Sequence, residues 1–328
     1  MKSLVTSCRL LLVSITASAI GWSLPTAAET ARITRPVKLV IGYSAGGSTD
    51  ILARKIAEDL HGLIGQPVVV DNKPGASGSL ASLAVKSAAA DGTTLLLQPM
   101  APMVLVPQIY KSSKVDPRKD FVPIAEIASI PLAVAVNPRS GMNTMADVAA
   151  ATKKQKNGAQ YAMPGVGGLA HMLGAQLALS GSFNWSPVAY KAAMSYMSEL
   201  ASGDIIAAID LLPELVSMSQ SGKLRVVGVS TPARSSLFPN VPTFQEQGFK
   251  EAQVANWFGV FAPAGTSPEL VAYLNEKINA ALSKPANVKR LKELGFEPKI
   301  SMPADLAKTL SDDYVRWGAV LKTLKLEE

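Results

Sequence analysis

The chain has 328 residues, of which 48% are apolar and 17% charged, and its formal net charge is +7. This length and apolar content allow two ordinary lobes that each bury a core. The single cysteine, Cys8, excludes a disulfide framework and a thiolate metal site.

The N-terminal segment has the pattern of a secretory signal peptide. Lys2 and Arg9 form a positive region, an apolar run follows, and small residues up to Ala28 supply a cleavage site before Glu29. The apolar run is shorter than the roughly 20 residues that span a bilayer. We therefore expect residues 1–28 to be a signal peptide, cleaved near Ala28, and the mature protein to lie in the periplasm.

Short β-type runs alternate with amphipathic helical stretches along the mature chain, which predicts α/β lobes with mainly parallel sheets flanked by helices. The predicted strands are 37–43, 67–71, 93–98, 132–137, 160–162, 188–190, 205–211 and 224–230. The predicted helices are 50–63, 78–89, 145–154, 170–179, 194–202, 269–282 and 305–320. Two cap signals accompany them: Thr243 with Glu246 fits a capping box, and Ser267 precedes a first-turn proline.

Three glycine-rich turns follow predicted strands. They lie at Ser44–Asp50, at Lys73–Ser79 and at Pro164–Gly168. A turn of this kind leaves backbone N–H groups unpaired at the start of the next helix, where the peptide dipoles add positive charge. Such turns bind carboxylates and phosphates, so the three together predict a cleft for an anion.

Two long stretches, 121–138 and 256–268, are predicted to cross between the lobes. A chain that crosses out and back builds one lobe from both ends and the other from the middle. The predicted boundaries are 29–125 plus 256–328 for lobe 1 and 126–255 for lobe 2. Ligands of open α/β sheets bind beyond the carboxyl ends of strands, so the lobes would face each other across a cleft.

Other functions have weaker signals. Residues 42–46 satisfy the G-x-S-x-G pattern of a serine hydrolase, with Ser44 as the nucleophile and His171 as a later partner. However, the helix signals begin several residues after Ser44, and no oxyanion segment is present, so the hydrolase is kept only as an alternative. Nucleotide-binding motifs are absent, two distant histidines argue against a metal site, and the basic runs lack interleaved aromatics. We expect no catalysis, no metal, no cofactor and no nucleic-acid partner.

The sequence resembles the Bug, or TctC, family of periplasmic solute-binding proteins that serve tripartite tricarboxylate transporters. The resembling segments span nearly the whole mature chain in a consistent order: AGGSTDILAR (45–54), GQPVVVDNKPGASG (65–78), DGTTLLL (91–97), GVGGLAHMLG (165–174), GKLRVVGVSTPAR (222–234), PNVPTFQEQGF (239–249) and WFGVFAPAGTSPELV (257–271). The resemblance implies a two-lobed clamshell, type II-like, that captures a small organic anion, a carboxylate above all. It also implies membrane permease subunits as partners, and we expect the protein itself to be a monomer.

The resemblance also assigns ligand-binding residues. The first cradle is Tyr43, Ser44, Gly46, Gly47, Ser48 and Thr49; the second is Gly75, Ala76, Ser77 and Gly78; the third, from the other lobe, is Gly165, Val166, Gly167 and Gly168. Asp50 is expected to cap its helix and hold the first loop. His171 is a further candidate, although a histidine at a helix start more often packs or caps.

Departures from the family pattern bear on specificity. Where relatives tend to have YKGSAPA, this chain has Ala192 and Ala193 in place of a glycine-serine donor pair, and Pro164 removes another donor. These changes predict a partly apolar wall that prefers a carboxylate on an apolar or aromatic body over simple dicarboxylates. Asp210 is a candidate acceptor for the ligand, with a local turn or interlobe bond as its alternative role. The same clamshell also serves sensors, so signalling to a membrane partner is the alternative output.

Overall fold

The computed structural model describes residues 33–110, 113–155, 158–166, 168–190, 193–252 and 254–324. Its strands are β1 Val37–Ile41, β2 Val68–Asn72, β3 Thr94–Pro99, β4 Phe121–Val136, β5 Ala159–Pro164, β6 Trp185–Tyr190, β7 Ala207–Leu211, β8 Arg225–Val229, β9 Ala255–Pro263 and β10 Glu297–Pro298. Its helices are α1 Ser48–Ile64, α2 Ser79–Lys86, α3 Met100–Val104, α4 Val106–Ile109, α5 Pro117–Asp120, α6 Met145–Lys154, α7 Leu169–Gly181, α8 Met197–Ser202, α9 Leu212–Gln220, α10 Pro268–Leu282, α11 Pro285–Glu293 and α12 Pro303–Leu324. Short 3₁₀ turns cover Ala76–Gly78, Pro138–Ser140 and Ala193–Tyr196.

The strands form one mixed sheet in the order β2-β1-β3-β9-β4-β7-β5-β6, and β8 and β10 also pair with β4. The outer strands are parallel: β1 pairs with β2 and β3, and β5 pairs with β6 and β7. The pairs that involve β4 and β9 are antiparallel, because these two strands run in opposite directions between the two parallel groups. The α/β class is as predicted, with parallel strands at both ends of the sheet and antiparallel ones in the middle.

The two predicted crossings are the long strands β4 and β9. Along Phe121–Pro131, β4 pairs with β9. From Leu132 onward it pairs with β7 and β8 instead. The change of partner at Leu132 lies between the two groups of parallel strands.

Alternating side chains of β1 show how the sheet is covered. Val37, Leu39 and Ile41 are fully buried in a cluster shared with α1 and α10. Val40 points to the other face and packs in a cluster with residues of α2 and α3. This alternation follows from the two-residue period of a strand with helices on both faces.

Several predicted boundaries differ from the structure. The first predicted strand extends to Tyr43, whereas β1 ends at Ile41. The capping box of Thr243 and Glu246 forms, with hydrogen bonds of 2.7 and 3.0 Å, but it closes a turn instead of a helix. Helices α3, α4, α5 and α9 are absent from the predictions because they have four or five residues or continue directly from a strand end, and α11, which follows α10 after two residues, is absent as well. Ser267 does cap α10, accepting a hydrogen bond from Leu270 N–H.

The predicted signal peptide, residues 1–28, lies outside the described residues. In the part of the chain that the structure describes, no helix combines the length and the apolar character needed to cross a bilayer.

Candidate functional site

A cleft of about 280 Å³ lies beyond the carboxyl ends of four strands. Pro99 ends β3, Pro164 ends β5, Leu211 ends β7, and Tyr43 follows β1 by two residues. This edge is where open α/β sheets bind ligands. The described residues that line it are Tyr43, Gly47, Ser48, Thr49, Pro99, Ala101, Leu132, Pro164, Leu169, Ala170, Leu211 and Asn256.

The N-terminus of α1 forms one wall of the cleft. Gly47 is the residue before this 17-residue helix; its backbone is extended (φ −78°, ψ 170°), and its carbonyl accepts a hydrogen bond from Ile51 N–H. The side chain of a glycine cannot cap the first amides, so the N–H groups at Ser48 and Thr49 are left to the cleft. Together with the helix dipole, these donors favour an anion.

The N-terminus of α7 forms a second wall. Gly168 precedes this 13-residue helix in the same extended conformation (φ −80°, ψ 178°), again without a capping side chain. Leu169 and Ala170, the first two residues of α7, line the cleft. Two helix N-termini that lack side-chain caps therefore border one cavity, and each supplies backbone donors to it.

Asp50 holds the first glycine turn in place. Its carboxylate accepts hydrogen bonds from Gly46 N–H at 3.0 Å, from Arg54 Nε at 2.8 Å and from Asn72 Nδ2 at 2.9 Å. Asn72 Nδ2 also donates to the Tyr43 carbonyl, so both sides of the turn are fixed. The Arg54 hydrogen bond, with those from Gly46 and Asn72, lowers the pKa of Asp50 to about 2 despite its burial.

This network revises two expectations. Asp50 holds the loop as predicted, but it is the third residue of α1 and binds a loop amide instead of capping its own helix. Gly46 N–H was predicted as a ligand donor, and in the structure it is already donated to Asp50. The donors left on this wall are those of the first turn of α1.

The structure brings four of the predicted ligand-binding residues together on the cleft: Tyr43, Gly47, Ser48 and Thr49. Ser44, Gly165, Val166 and Gly168 belong to the turns that lead into α1 and α7, but they do not line the cavity. Gly167 and Ala192 lie outside the described residues, and Ala193 is described only as the start of a 3₁₀ turn.

The second glycine loop faces a different cavity. Ala76 and Ser77 border a separate pocket of about 430 Å³ beside α2 and α4. Gly78 packs against Pro102, and its carbonyl accepts a hydrogen bond of 2.9 Å from the buried Gln98. Gly75 opens this loop with a φ of +131°.

Asp210 is buried away from the cleft lining. Its carboxylate accepts hydrogen bonds from Leu211 N–H at 2.8 Å and from the Tyr196 hydroxyl at 3.4 Å. Burial raises its pKa to about 6. His171 is also buried, and burial lowers its pKa, so its imidazole is neutral at neutral pH.

Sequence reasoning missed much of the lining. Pro99, Ala101 and Leu211 stand at or just after strand ends, so the rule for open α/β sheets could have found them. Leu132 and Asn256 come from the antiparallel strands β4 and β9, and nothing in their local sequence marks them.

The described lining residues include no charged side chain. Its hydrogen-bonding side chains are those of Tyr43, Ser48, Thr49 and Asn256, and burial raises the pKa of Tyr43 to about 12, so its hydroxyl stays protonated. Among the described residues, no cluster of histidine, cysteine and acidic side chains could hold a metal ion. The chemistry that this arrangement offers is hydrogen bonding to an anion.

Known proteins resemble the chain over most of its length. A model of the family described as tripartite tricarboxylate transporter family receptor matches residues 52–326. Protein BugT of Bordetella pertussis (strain Tohama I) is 32% identical over 316 residues, which cover 95% of this chain and 96% of BugT.

Solved structures give the same relationship. The structure described as R. palustris Rpa4515 with adipate is 31% identical, with a TM-score of 0.73, and the match covers 88% of this chain and 97% of that one. MatC from Rhodopseudomonas palustris with bound malate is 27% identical, with a TM-score of 0.69, covering 88% and 99%. The predicted binding-protein fold is confirmed, and the match to a transporter receptor family over most of the chain stands in place of the hydrolase alternative. The chain belongs to the tripartite tricarboxylate transporter receptor family of periplasmic solute-binding proteins.

Proposed function

We propose that the protein captures a small organic carboxylate in the cleft between the N-termini of α1 and α7. The observation that carries the proposal is that two helix N-termini without capping side chains border one cavity, and that the described residues lining this cavity carry no charged side chain. Backbone amides at helix starts stabilise a carboxylate without an arginine or lysine. The adipate and malate bound by the two structural relatives support this ligand class.

Thermal unfolding with a panel of carboxylates tests the proposal. A ligand at about 100 times its dissociation constant should stabilise the folded protein by about 2.7 kcal/mol and raise Tm by several degrees. The variant Gly47→Val adds a side chain to the α1 wall, so carboxylates should no longer raise its Tm. Without ligand, its Tm should stay within a few degrees of the wild-type value. A panel in which only neutral or cationic solutes raise Tm would overturn the proposal.

The ligand is delivered, in this proposal, to membrane permease subunits of a tripartite transporter. The family description supports transport over the alternative of signalling to a sensor kinase. Uptake of the labelled ligand should stop when the protein is deleted and return with the wild-type chain. Normal uptake combined with a lost transcriptional response would favour the sensor.

We also propose export with cleavage near Ala28 and a monomer of two lobes, 29–125 plus 256–328 and 126–255. The change of β4 pairing at Leu132 supports the division, although it lies a few residues after the proposed boundary.

The exported protein should have the mass of Glu29–Glu328, without lipid. Ligand should reduce its radius of gyration in solution scattering. Retention of Lys2, acylation at Cys8 or a dimer mass would contradict these points.

A further inference from the structure

Asn256 differs from the other polar residues of the cleft in its origin. Tyr43, Ser48 and Thr49 all belong to the segment around the start of α1, whereas Asn256 comes from β9, which β3 separates from β1 in the sheet. Most of the other described lining residues are apolar, among them Leu132, Pro164, Leu169, Ala170 and Leu211. Asn256 therefore supplies the one side-chain amide of the described lining, from a segment separate from α1.

The strand geometry fixes the direction of Asn256. Trp257, the next residue, is buried at 2% exposure and donates its indole N–H to Asp313 at 2.8 Å. Successive side chains of a strand point to opposite faces, so Asn256 points away from that contact and into the cleft. Its backbone is held in register with Ile130 of β4.

The amide of Asn256 has no hydrogen-bond partner among the described residues, and it is half-buried. A primary amide has two N–H donors and one carbonyl acceptor. Burying these groups without partners when the cleft fills would cost affinity. A ligand that fits the site therefore has a polar group at this position.

We propose that Asn256 is a specificity-determining residue that hydrogen-bonds a neutral polar substituent of the ligand, a hydroxyl group above all, and not its carboxylate. This inference rests on the proposed function, in which the carboxylate lies at the helix N-termini. A hydroxyl group donates one hydrogen bond and accepts others, so it matches both functions of the amide. A second carboxylate only accepts, and it would lose water in the cleft while the described lining residues offer it no cation to pair with.

A six-carbon series tests the inference by calorimetry. The probes are hexanoate, its 2-, 3- and 6-hydroxy derivatives, and adipate. At least one hydroxyhexanoate should bind the wild-type protein about 5- to 150-fold tighter than hexanoate and tighter than adipate. In Asn256→Leu this ratio should fall to about 2-fold or less, with hexanoate itself unchanged or tighter, because only the amide is lost.

Two further variants distinguish loss of the Asn256 amide from a nonspecific loss of folding or binding. Asn256→Asp keeps the shape and adds a negative charge, so it should weaken adipate more than the hydroxy acids. Asn240→Leu, at an exposed asparagine, is the matched control and should bind like the wild type. Far-ultraviolet circular dichroism confirms folding, and Asn256→Ser replaces the leucine variant if that one fails to fold.

The outcomes are distinct. Three results would each overturn the inference and leave the proposed function standing. The preference for hydroxy acids could survive in Asn256→Leu, the wild type could bind hexanoate more tightly than every hydroxyhexanoate, or adipate could be the tightest ligand of the wild type. If none of the five acids, nor malate, binds the wild type, the proposed function fails and the inference falls with it.

Discussion

The hydrogen bonds of Asp50 should make the stability of the fold depend on acid pH in a predictable way. Asp50 is 3% exposed and joins Gly46, Arg54 and Asn72. Asp50→Asn keeps the size of the side chain and removes the charge that Arg54 and the two amide donors stabilise. We expect this variant to be less stable than the wild type at pH 7, because the loop before α1 loses its charge-assisted bonds.

The magnitude follows from the pKa. Lowering from 3.8 to about 2 corresponds to at most about 2.4 kcal/mol, at 1.36 kcal/mol for each pKa unit. Arg54 is 55% exposed, and solvent screening weakens such a pair, so we expect about 1 kcal/mol. Because the folded pKa is depressed, this stability is present above about pH 4 and is lost as the pH falls through about 2.

Urea unfolding at pH 7, 5, 3 and 2.5, followed by tryptophan fluorescence, measures the effect. The difference in unfolding free energy between wild type and Asp50→Asn should be constant from pH 7 to 5 and shrink toward pH 2.5. Asp312→Asn is the control: its ion pair with Lys308 is exposed on both sides, so its loss should cost less than about 0.5 kcal/mol. A difference that stays constant down to pH 2.5, or no difference at pH 7, would refute the reasoning.

Three other substitutions have defined outcomes. Gly42→Ala should destabilise the fold by about 1–3 kcal/mol in urea unfolding, because its Cβ would lie 2.6 Å from Gly78 Cα. Gly47→Val should cost less, about 1 kcal/mol, because its added Cβ would lie 3.8 Å from its nearest neighbour and its φ is ordinary, so that only the poorer helix cap counts; a larger loss in Gly47→Val than in Gly42→Ala would contradict this. Asp210→Asn should raise the free energy of unfolding at pH 7 by about 1–3 kcal/mol, because burial raises the pKa of the Asp210 carboxyl to about 6 and its ionised form therefore destabilises the folded state above pH 3.8. This gain should disappear at pH 4. A loss of stability at pH 7 would contradict the prediction and would show that the Tyr196 hydroxyl needs an ionised acceptor. Ser44→Ala should change carboxylate affinity by less than about 3-fold in calorimetry, because Ser44 is exposed and does not line the cleft; a larger loss would place its hydroxyl on the ligand.

Local sequence predicted the parts of the site that depend on local physics. The turn after β1 and the turn before α7 each combine a strand end, glycines and a helix start within about ten residues, and both lead into helices that border the cleft. The loop role of Asp50 was also predictable, because an acidic residue at a helix start binds nearby amides.

The second glycine loop shows the limit of this reasoning. Its sequence resembles the other two, yet the close packing of Gly78 on Pro102 and the hydrogen bond from Gln98 place Ala76 and Ser77 on another cavity. A glycine pattern specifies which backbone conformations are accessible, and it does not specify which way the finished loop faces.

The sequence by itself determined the alternation of strands and helices, the glycine turns and, through its motifs, the family. Only the tertiary structure decided which residues share the cleft: Leu132 and Asn256 reach it because β4 and β9 pair with each other in the middle of the sheet. The physical reason is the sequence separation of the contacts that fix each part of the structure. Helix starts and turns are fixed by contacts within a few residues, whereas β4 and β9, whose paired residues lie 124 to 142 positions apart, are brought together by burial of the whole sheet, which no local pattern encodes.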